Sequence, residues 1–344
     1  MNARGIVSGF VLLAALGLAG CGGGAQKTGA ASNGGDADRG KTFKIAMIAK
    51  STSNTVFPPA HAGARDAAKK LSEGQDVKIE VEILTPQDED GQVQAQRIAQ
   101  AVNQGAQAVL ISCSDAGKAT GAIDDAVERG VQVMTFDSDA PRSKRFAYYG
   151  VDDLECGRQV MKELAAQMGG KGKVGILAGN QNAPNLQKRA EGVREEAGNH
   201  PGIEIVDSFY FNETPQDAAK KVISVMQAHP DLAGWAMIGG WALNSTALLD
   251  ELDPQRVKVV SVDALPPMLL YVQKGLVPVL LAQPTYKWGY DSVGLIVDKC
   301  LHKKDVPAVN KMELVRVTKE NLGAWAKQLK DWGFEVPAEL LEAP

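Results

Sequence analysis

The residues with the most chemistry to offer stand where an apolar run, 131 to 136 (VQVMTF), stops at Asp137, Ser138 and Asp139 ahead of Pro141. In an open α/β sheet, a buried strand that ends in a carboxylate-bearing loop is where ligands bind. Carboxylate oxygens accept paired hydrogen bonds from neighbouring hydroxyls of a small polyol or sugar, and bonds to ionised groups contribute about 1.5–3 kcal/mol each. Taken alone, the same stretch is accounted for equally well by an Asp capping the next turn. A later apolar run, 257 to 262, ends in the same manner at Asp263.

Other chemistries find no support. The run Gly169, Gly170, Lys171, Gly172, Lys173 imitates a phosphate loop, but it precedes a strand-like segment and lacks the Ser or Thr that should follow the lysine. His61, His200, His229 and His302 have no metal-ligand spacing, and no Gly-x-Ser-x-Gly nucleophile elbow is present. With no catalytic set, the chain is expected to be a binding protein rather than an enzyme, with no cofactor and no metal.

The length of 344 residues suits two domains rather than one small core. A formal net charge of −4 supplies no basic footprint, so nucleic acid is not an expected partner. Near the start, Arg4 precedes an apolar segment over 6 to 18, too short for a permanent membrane span and suited to an export signal. Residues 1–20 are therefore read as a signal peptide. The sequence Leu18, Ala19, Gly20, Cys21 resembles the lipobox of bacterial lipoproteins, which implies cleavage before Cys21 and a lipid on its thiol. Residues 21–42, rich in Gly, Ala, Ser and Asp, are expected to tether that lipid to a folded body starting near Phe43. Cys113, Cys156 and Cys300 remain. They are an odd set for an oxidising compartment, without zinc spacing, and are expected to be mainly buried small side chains.

From Phe43 onward, short apolar runs alternate with amphipathic segments. Strands are expected near 43–49, 77–84, 108–112 and 131–136, with helices near 59–72, 91–104 and 117–129. After Gly150 the pattern restarts, with strands near 173–178, 203–210, 234–238 and 257–262 and helices near 185–197, 215–228 and 242–252. The fold class is α/β: two similar doubly wound parallel-sheet lobes with a cleft between them, joined by a multi-strand hinge. The remaining segments, a helix near 265–273, a strand 277–282, a helix 287–301, a strand 312–317 and a terminal helix, are expected to complete both sheets. Crossings fall near 150–153, 283–284 and 310–311, so that 43–151 plus 284–311 form one lobe and 152–283 plus 312–344 the other.

Several motifs, in order, resemble the periplasmic sugar-binding proteins of ABC importers, type I fold, of the ribose- and galactose-binding kind, over about residues 43 to 317. Ser53, Asn54, Phe57 and Gly63 follow the first strand as the family's Asn and Phe ligands and helix glycine do, and Asp137 is similar to its sugar-binding Asp. Arg189 with Gly192 resembles its arginine, two residues and glycine; Ala228, His229, Pro230 and Asp231 match a loop; Asp263 is similar to a second ligand Asp; Gln283 with Pro284 resembles its hinge Gln. The chain departs from ribose binders at Ser138, where they carry Arg, and at Gly239, Gly240 and Trp241, where they have Asn; Lys50 replaces a small hydroxyl residue. Ribose is therefore not the expected best ligand.

The resemblance implies a ligand set of Lys50, Asn54, Phe57, Asp137, Ser138, Arg189, Trp241, Asp263 and Gln283. Carboxylates would accept from hydroxyls, Arg189 would donate through its fork, and Phe57 and Trp241 would cover the ring faces. Phe57 and Trp241 also fit ordinary packing roles, and by spacing alone Arg189 suits an ion pair with Glu191 or Glu195 on a solvated helix face. Lys50, Ser138, Asp139 and Asn185 suit surface loops as well. The function so implied is an extracytoplasmic receptor, in the periplasm or at the cell surface, that captures a monosaccharide or sugar alcohol and delivers it to an ABC permease. It is expected to act as a monomer and to meet the membrane only through the lipid on Cys21. The alternatives are a sensor feeding a chemoreceptor or sensor kinase, and a nucleoside-binding lipoprotein.

Overall fold

The computed structural model describes residues 41–73 and 76–343; the expected signal peptide, Cys21 and most of the tether lie outside the described residues. The first block contains β1 (Lys41–Ile48), α1 (Pro58–Ser72), β2 (Val77–Ile83), α2 (Gly91–Asn103), β3 (Ala108–Ile111), α3 (Ala116–Glu128), β4 (Gln132–Phe136) and β5 (Ala147–Gly150). The second contains α4 (Asp153–Met168), β6 (Lys171–Gly179), α5 (Pro184–Ala197), β7 (Gly202–Tyr210), α6 (Pro215–Ala228), β8 (Leu232–Met237) and β9 (Lys258–Val262). Then come α7 (Pro266–Gln273), β10 (Val279–Ala282), α8 (Thr285–Cys300), β11 (Val309–Lys311), β12 (Val315–Val317), α9 (Leu322–Asp331) and the short α10 (Ala338–Leu341).

The central strands are continuous apolar runs, AVLI in β3 and the buried tail of KTFKIAMI in β1, as a sheet covered on both faces requires. One sheet runs β11-β5-β4-β3-β1-β2 and the other β12-β10-β9-β8-β6-β7, so the second repeats the order of the first. All pairings are parallel except β10 with β12. The chain passes between sheets after β5, after β10, and between β11 and β12. Side chains at the strand ends begin the helices: Asp90, Asp115, Asp152 and Thr214 each accept a backbone N–H from the first turn of α2, α3, α4 and α6.

The structure differs from the sequence reading in two places. The helix expected near 242–252 is a single 3-10 turn, Trp241–Leu243, followed by irregular turns. Asn244, Ser245 and Thr246 favour turns, and Tyr271 fixes them by donating to Ser245 O at 2.6 Å and accepting from Leu248 N at 3.2 Å. The reading also left β5, α4 and β11 unassigned; β5 and β11 are only four and three residues long, too short for a periodic signal. The glycine run that imitates a phosphate loop precedes a strand as expected: Gly169 ends α4 at φ 65° and the run leads into β6.

Each lobe is fastened by a helix pair whose backbones touch. A Cβ on Gly63 would lie 2.1 Å from Tyr286 O and one on Gly289 1.8 Å from Ala60 O, at the α1–α8 crossing. The α4–α5 crossing repeats this, where a Cβ on Gly157 would lie 2.0 Å from Arg189 O and one on Gly192 2.0 Å from Leu154 O. A backbone carbonyl cannot swing aside, so Gly289→Ala is expected to destabilise the protein by about 1–3 kcal/mol through overpacking. Urea denaturation measures this, and an unchanged midpoint would contradict it. Cys113 and Cys156 are buried, Cys300 half-buried, and all three are free thiols; burial pushes that of Cys300 up to about 11 and that of Cys156 up to about 12.

Candidate ligand-binding cleft

Asp137 follows β4 and Asp263 follows β9, the strands that hold matching places in the two sheets. The local geometry matches too. Both adopt left-handed backbone conformations, φ 54° and 71°, which Asp tolerates better than most residues. Asp137 N donates to Tyr149 O on β5 at 3.0 Å, and Asp263 N to Leu281 O on β10 at 2.9 Å. This turn ends each strand and brings its carboxylate to the cavity between the lobes.

The carboxylates are buried and supported from within their own lobes. Ser112 Oγ donates to Asp137 Oδ2 at 2.7 Å; Gly240 N donates to Asp263 Oδ2 at 3.0 Å and Gln283 Nε2 to Asp263 Oδ1 at 2.8 Å. Burial raises the Asp263 carboxyl above the ordinary Asp range, while Arg189 and Gln283 pull it back.

Arg189, in the first half of α5, sits at the centre with its side chain 3% exposed. Nε donates to Asp153 Oδ1 at 2.9 Å, Nη1 to Ile238 O at 3.2 Å and Nη2 to Gln283 Oε1 at 3.0 Å, while Asp137 Oδ1 lies 4.0 Å from Nη2. The surface pairing with Glu191 or Glu195 is not formed; Glu195 instead binds Arg158 at 2.6 Å. Burial opposes the guanidinium's charge, but Asp153 and the neighbouring acids keep it firmly protonated. The Asp153 carboxyl is itself pushed up to about 6 by burial, against the pull of Arg189.

Lys50, at the end of β1, is also buried and donates to Asn185 Oδ1 at 3.1 Å, while Asn185 Nδ2 donates to Asp137 Oδ1 at 3.1 Å. A side chain of the second lobe thus bridges two charged groups of the first. Burial works against the Lys50 ammonium, yet Glu213, Glu89 and Asp137 raise its affinity for the proton. Asn54 and Phe57 reach the cavity because Pro58 and Pro59 start α1 immediately after them. Phe57 meets both expectations, lining the cavity while packing 6.4 Å from Phe136 and 5.9 Å from Trp288. Trp241 stands edge-on to Phe211 at 5.4 Å, over Gly179 and Gly239, where a Cβ would come within 2.8 and 2.4 Å of its ring.

Of the nine expected ligand residues, eight line the cavity and Ser138 does not. Its side chain is fully buried with an unpartnered hydroxyl, because the left-handed turn at Asp137 ends the strand and carries the next residue away from the cleft. Asp139 is occupied by Arg145 through a two-pronged pair at 2.5 and 2.6 Å. The cavity also holds residues outside the expected set: Asn185, Glu213, Asn244 and Trp288, whose buried indole N–H has no protein acceptor. Asn185 was legible as the residue one helical turn before Arg189, on the same face. Trp288 and Glu213 carried no pattern. Among the described residues, no cluster of His, Cys, Asp and Glu is arranged to hold a metal ion.

Carboxylate acceptors from both lobes, a forked donor, amide groups and three aromatic rings form a surface for a small molecule with hydroxyl edges and C–H faces. Both cations already face carboxylates, so the site offers no free positive charge to an anionic guest. Residues 45–304 match the model of the periplasmic binding protein domain family. A ribose import binding protein of Bacillus subtilis (strain 168) is 24% identical over 192 residues, an alignment that spans 56% of this chain and 60% of that protein's length. A xylitol-binding protein of Mycolicibacterium smegmatis is 23% identical over 237 residues, 68% of this chain and 67% of its own. A carbohydrate transporter solute-binding protein from Agrobacterium radiobacter, solved in complex with D-arabinose, is 25% identical with a TM-score of 0.74, over 82% of this chain and 96% of that one.

Proposed function

We propose a role that proceeds from family membership: this chain belongs to the periplasmic binding protein domain family, and it captures one uncharged monosaccharide or sugar alcohol between its lobes outside the cytoplasm. The observation that carries this reading is the pair Asp137 and Asp263, presented from matching strand ends in left-handed conformations to one cavity. A polyol bridging them favours the closed arrangement by its differential affinity for it. The names of the relatives, a ribose import binding protein and a xylitol-binding protein, support this ligand class, and the first supports import, which we read as delivery to an ABC permease. No bond of the guest is made or broken in this role. The lipobox-like residues ending in Cys21 support a lipid-anchored form.

A thermal-shift screen over pentoses, hexoses, deoxysugars, polyols, sugar acids and sugar phosphates tests the ligand class. Neutral pentoses or polyols are expected to raise the melting temperature saturably and anionic sugars not to, because neither Lys50 nor Arg189 is free of a carboxylate. A screen led by a sugar phosphate would overturn the neutral-guest reading, and one led by ribose would overturn the inference drawn from the Ser138 and Trp241 positions. Turnover of any sugar by the isolated protein would remove the receptor role.

A further inference from the structure

Two carboxylates outside the ligand set described above approach one another from opposite sides of the cleft. Glu89 lies in the loop between β2 and α2, and Glu213 in the loop between β7 and α6. Both bind Asn180, just beyond β6: its side-chain amide donates to Glu89 Oε1 at 3.0 Å, and its backbone N–H donates to Glu213 Oε1 at 3.1 Å. Asn180 and Glu213 belong to the second lobe, so the Asn180–Glu89 bond is one that closure makes and opening breaks. Asn244 to Thr55 is a second such bond at the cavity.

We propose that Glu89 and Glu213 form a proton-linked latch: shutting the cleft crowds both carboxylates around Asn180, and a proton taken up by Glu213 relieves their repulsion, so acidity favours the closed form. This rests on the reading of the cleft as one that opens and shuts around a guest. The groups facing Glu213 are Lys50 from the end of β1, Glu89 from the loop before α2 and Asp137 from the end of β4. Burial raises the Glu213 carboxyl well above its ordinary 4.5; Lys50 opposes this, Glu89 and Asp137 add to it, and the Asn180 N–H opposes it. With the lobes apart, Glu89 and Lys50 withdraw and water returns, so Glu213 ionises near its ordinary value. A carboxyl whose affinity for the proton rises on closure binds one as the cleft shuts. The closed form therefore gains as pH falls and loses as pH rises above the ordinary glutamate range.

The test needs no sugar, so its failure is distinct from a failure of the ligand screen. Spin labels at Lys118→Cys on α3 and Lys220→Cys on α6, in a Cys21→Ser, Cys300→Ser background of the full chain, report the distance between lobes. Across mildly acid to mildly alkaline pH, the closed-to-open ratio is expected to fall by up to about tenfold per pH unit, the limit for one proton. Glu213→Gln, which keeps the acceptor for Asn180 N but carries no charge, is expected to hold the acid-side distance distribution at every pH. Glu89→Gln removes the facing charge and is expected to weaken the dependence. A wild-type distribution that ignores pH, or a Glu213→Gln variant that follows pH as the wild type does, overturns the latch. Asp153 and Asp263 are held by Arg189 and Gln283 of their own lobe in wild type and variant alike, so neither accounts for a difference between the two.

Discussion

Arg189→Ala is expected to lower the unfolding free energy by about 3–5 kcal/mol, the cost of removing one partner from a buried ion pair. The guanidinium satisfies Asp153 Oδ1, Ile238 O and Gln283 Oε1 at once, and a methyl group leaves all three without their donor in a site closed to water. The deficit should also depend on pH in a defined sense. Asp153 already sits at about 6 with Arg189 pulling it down, so without Arg189 its folded-state value rises further. A carboxyl raised in the folded state contributes stability below its unfolded value and loses it as pH rises through the folded one. The gap between variant and wild type should therefore widen above about pH 6. Arg189→Lys should recover only part of the loss, since an ammonium cannot reproduce three donors in one plane. Urea denaturation at several pH values measures both effects, and an Arg189→Ala protein as stable as wild type would show that the pair adds nothing net.

Replacing either strand-end carboxylate should weaken binding of the sugar that leads the screen by about 2 kcal/mol or more, because its hydroxyls lose a charged acceptor in a dry site. Asn is the informative substitution. It keeps the tolerance for positive φ that both positions require, 54° at 137 and 71° at 263, so the loss reports charge rather than backbone strain. Asp137→Asn and Asp263→Asn should have comparable effects, since each carboxylate ends the equivalent strand of its sheet. Calorimetry that finds unchanged affinity in both variants would remove the two-carboxylate grip from the account.

The alternation of apolar runs and amphipathic segments made the two-lobed α/β fold legible, because strand and helix periods depend on local burial patterns that the chain repeats. Gly63 and Gly192 could be seen as helix glycines, but that they let backbones touch, Gly63 against Tyr286 O and Gly192 against Leu154 O, depends on partners far along the chain. The same division runs through the site. The sequence by itself determined that carboxylates end two matching strands and that Lys50, Asn54, Phe57, Arg189, Trp241 and Gln283 stand at loop and helix starts near a sheet's ligand-facing edge.

Only the tertiary structure decided their partners and directions. The left-handed turn at Asp137 sends that carboxylate into the cleft and Ser138 into the interior, which no count of residue types reveals. Arg189 exchanged a solvated Glu195 for Asp153 and Gln283, because the second sheet folds those three segments onto one point, and Glu89 came to share Asn180 with Glu213 because the lobes close on each other. Sequence spacing fixes which side chains share a strand or helix face. Which charges are desolvated together is fixed by how two lobes come to rest against each other, and in a low-dielectric cleft that determines both what is bound and at what pH.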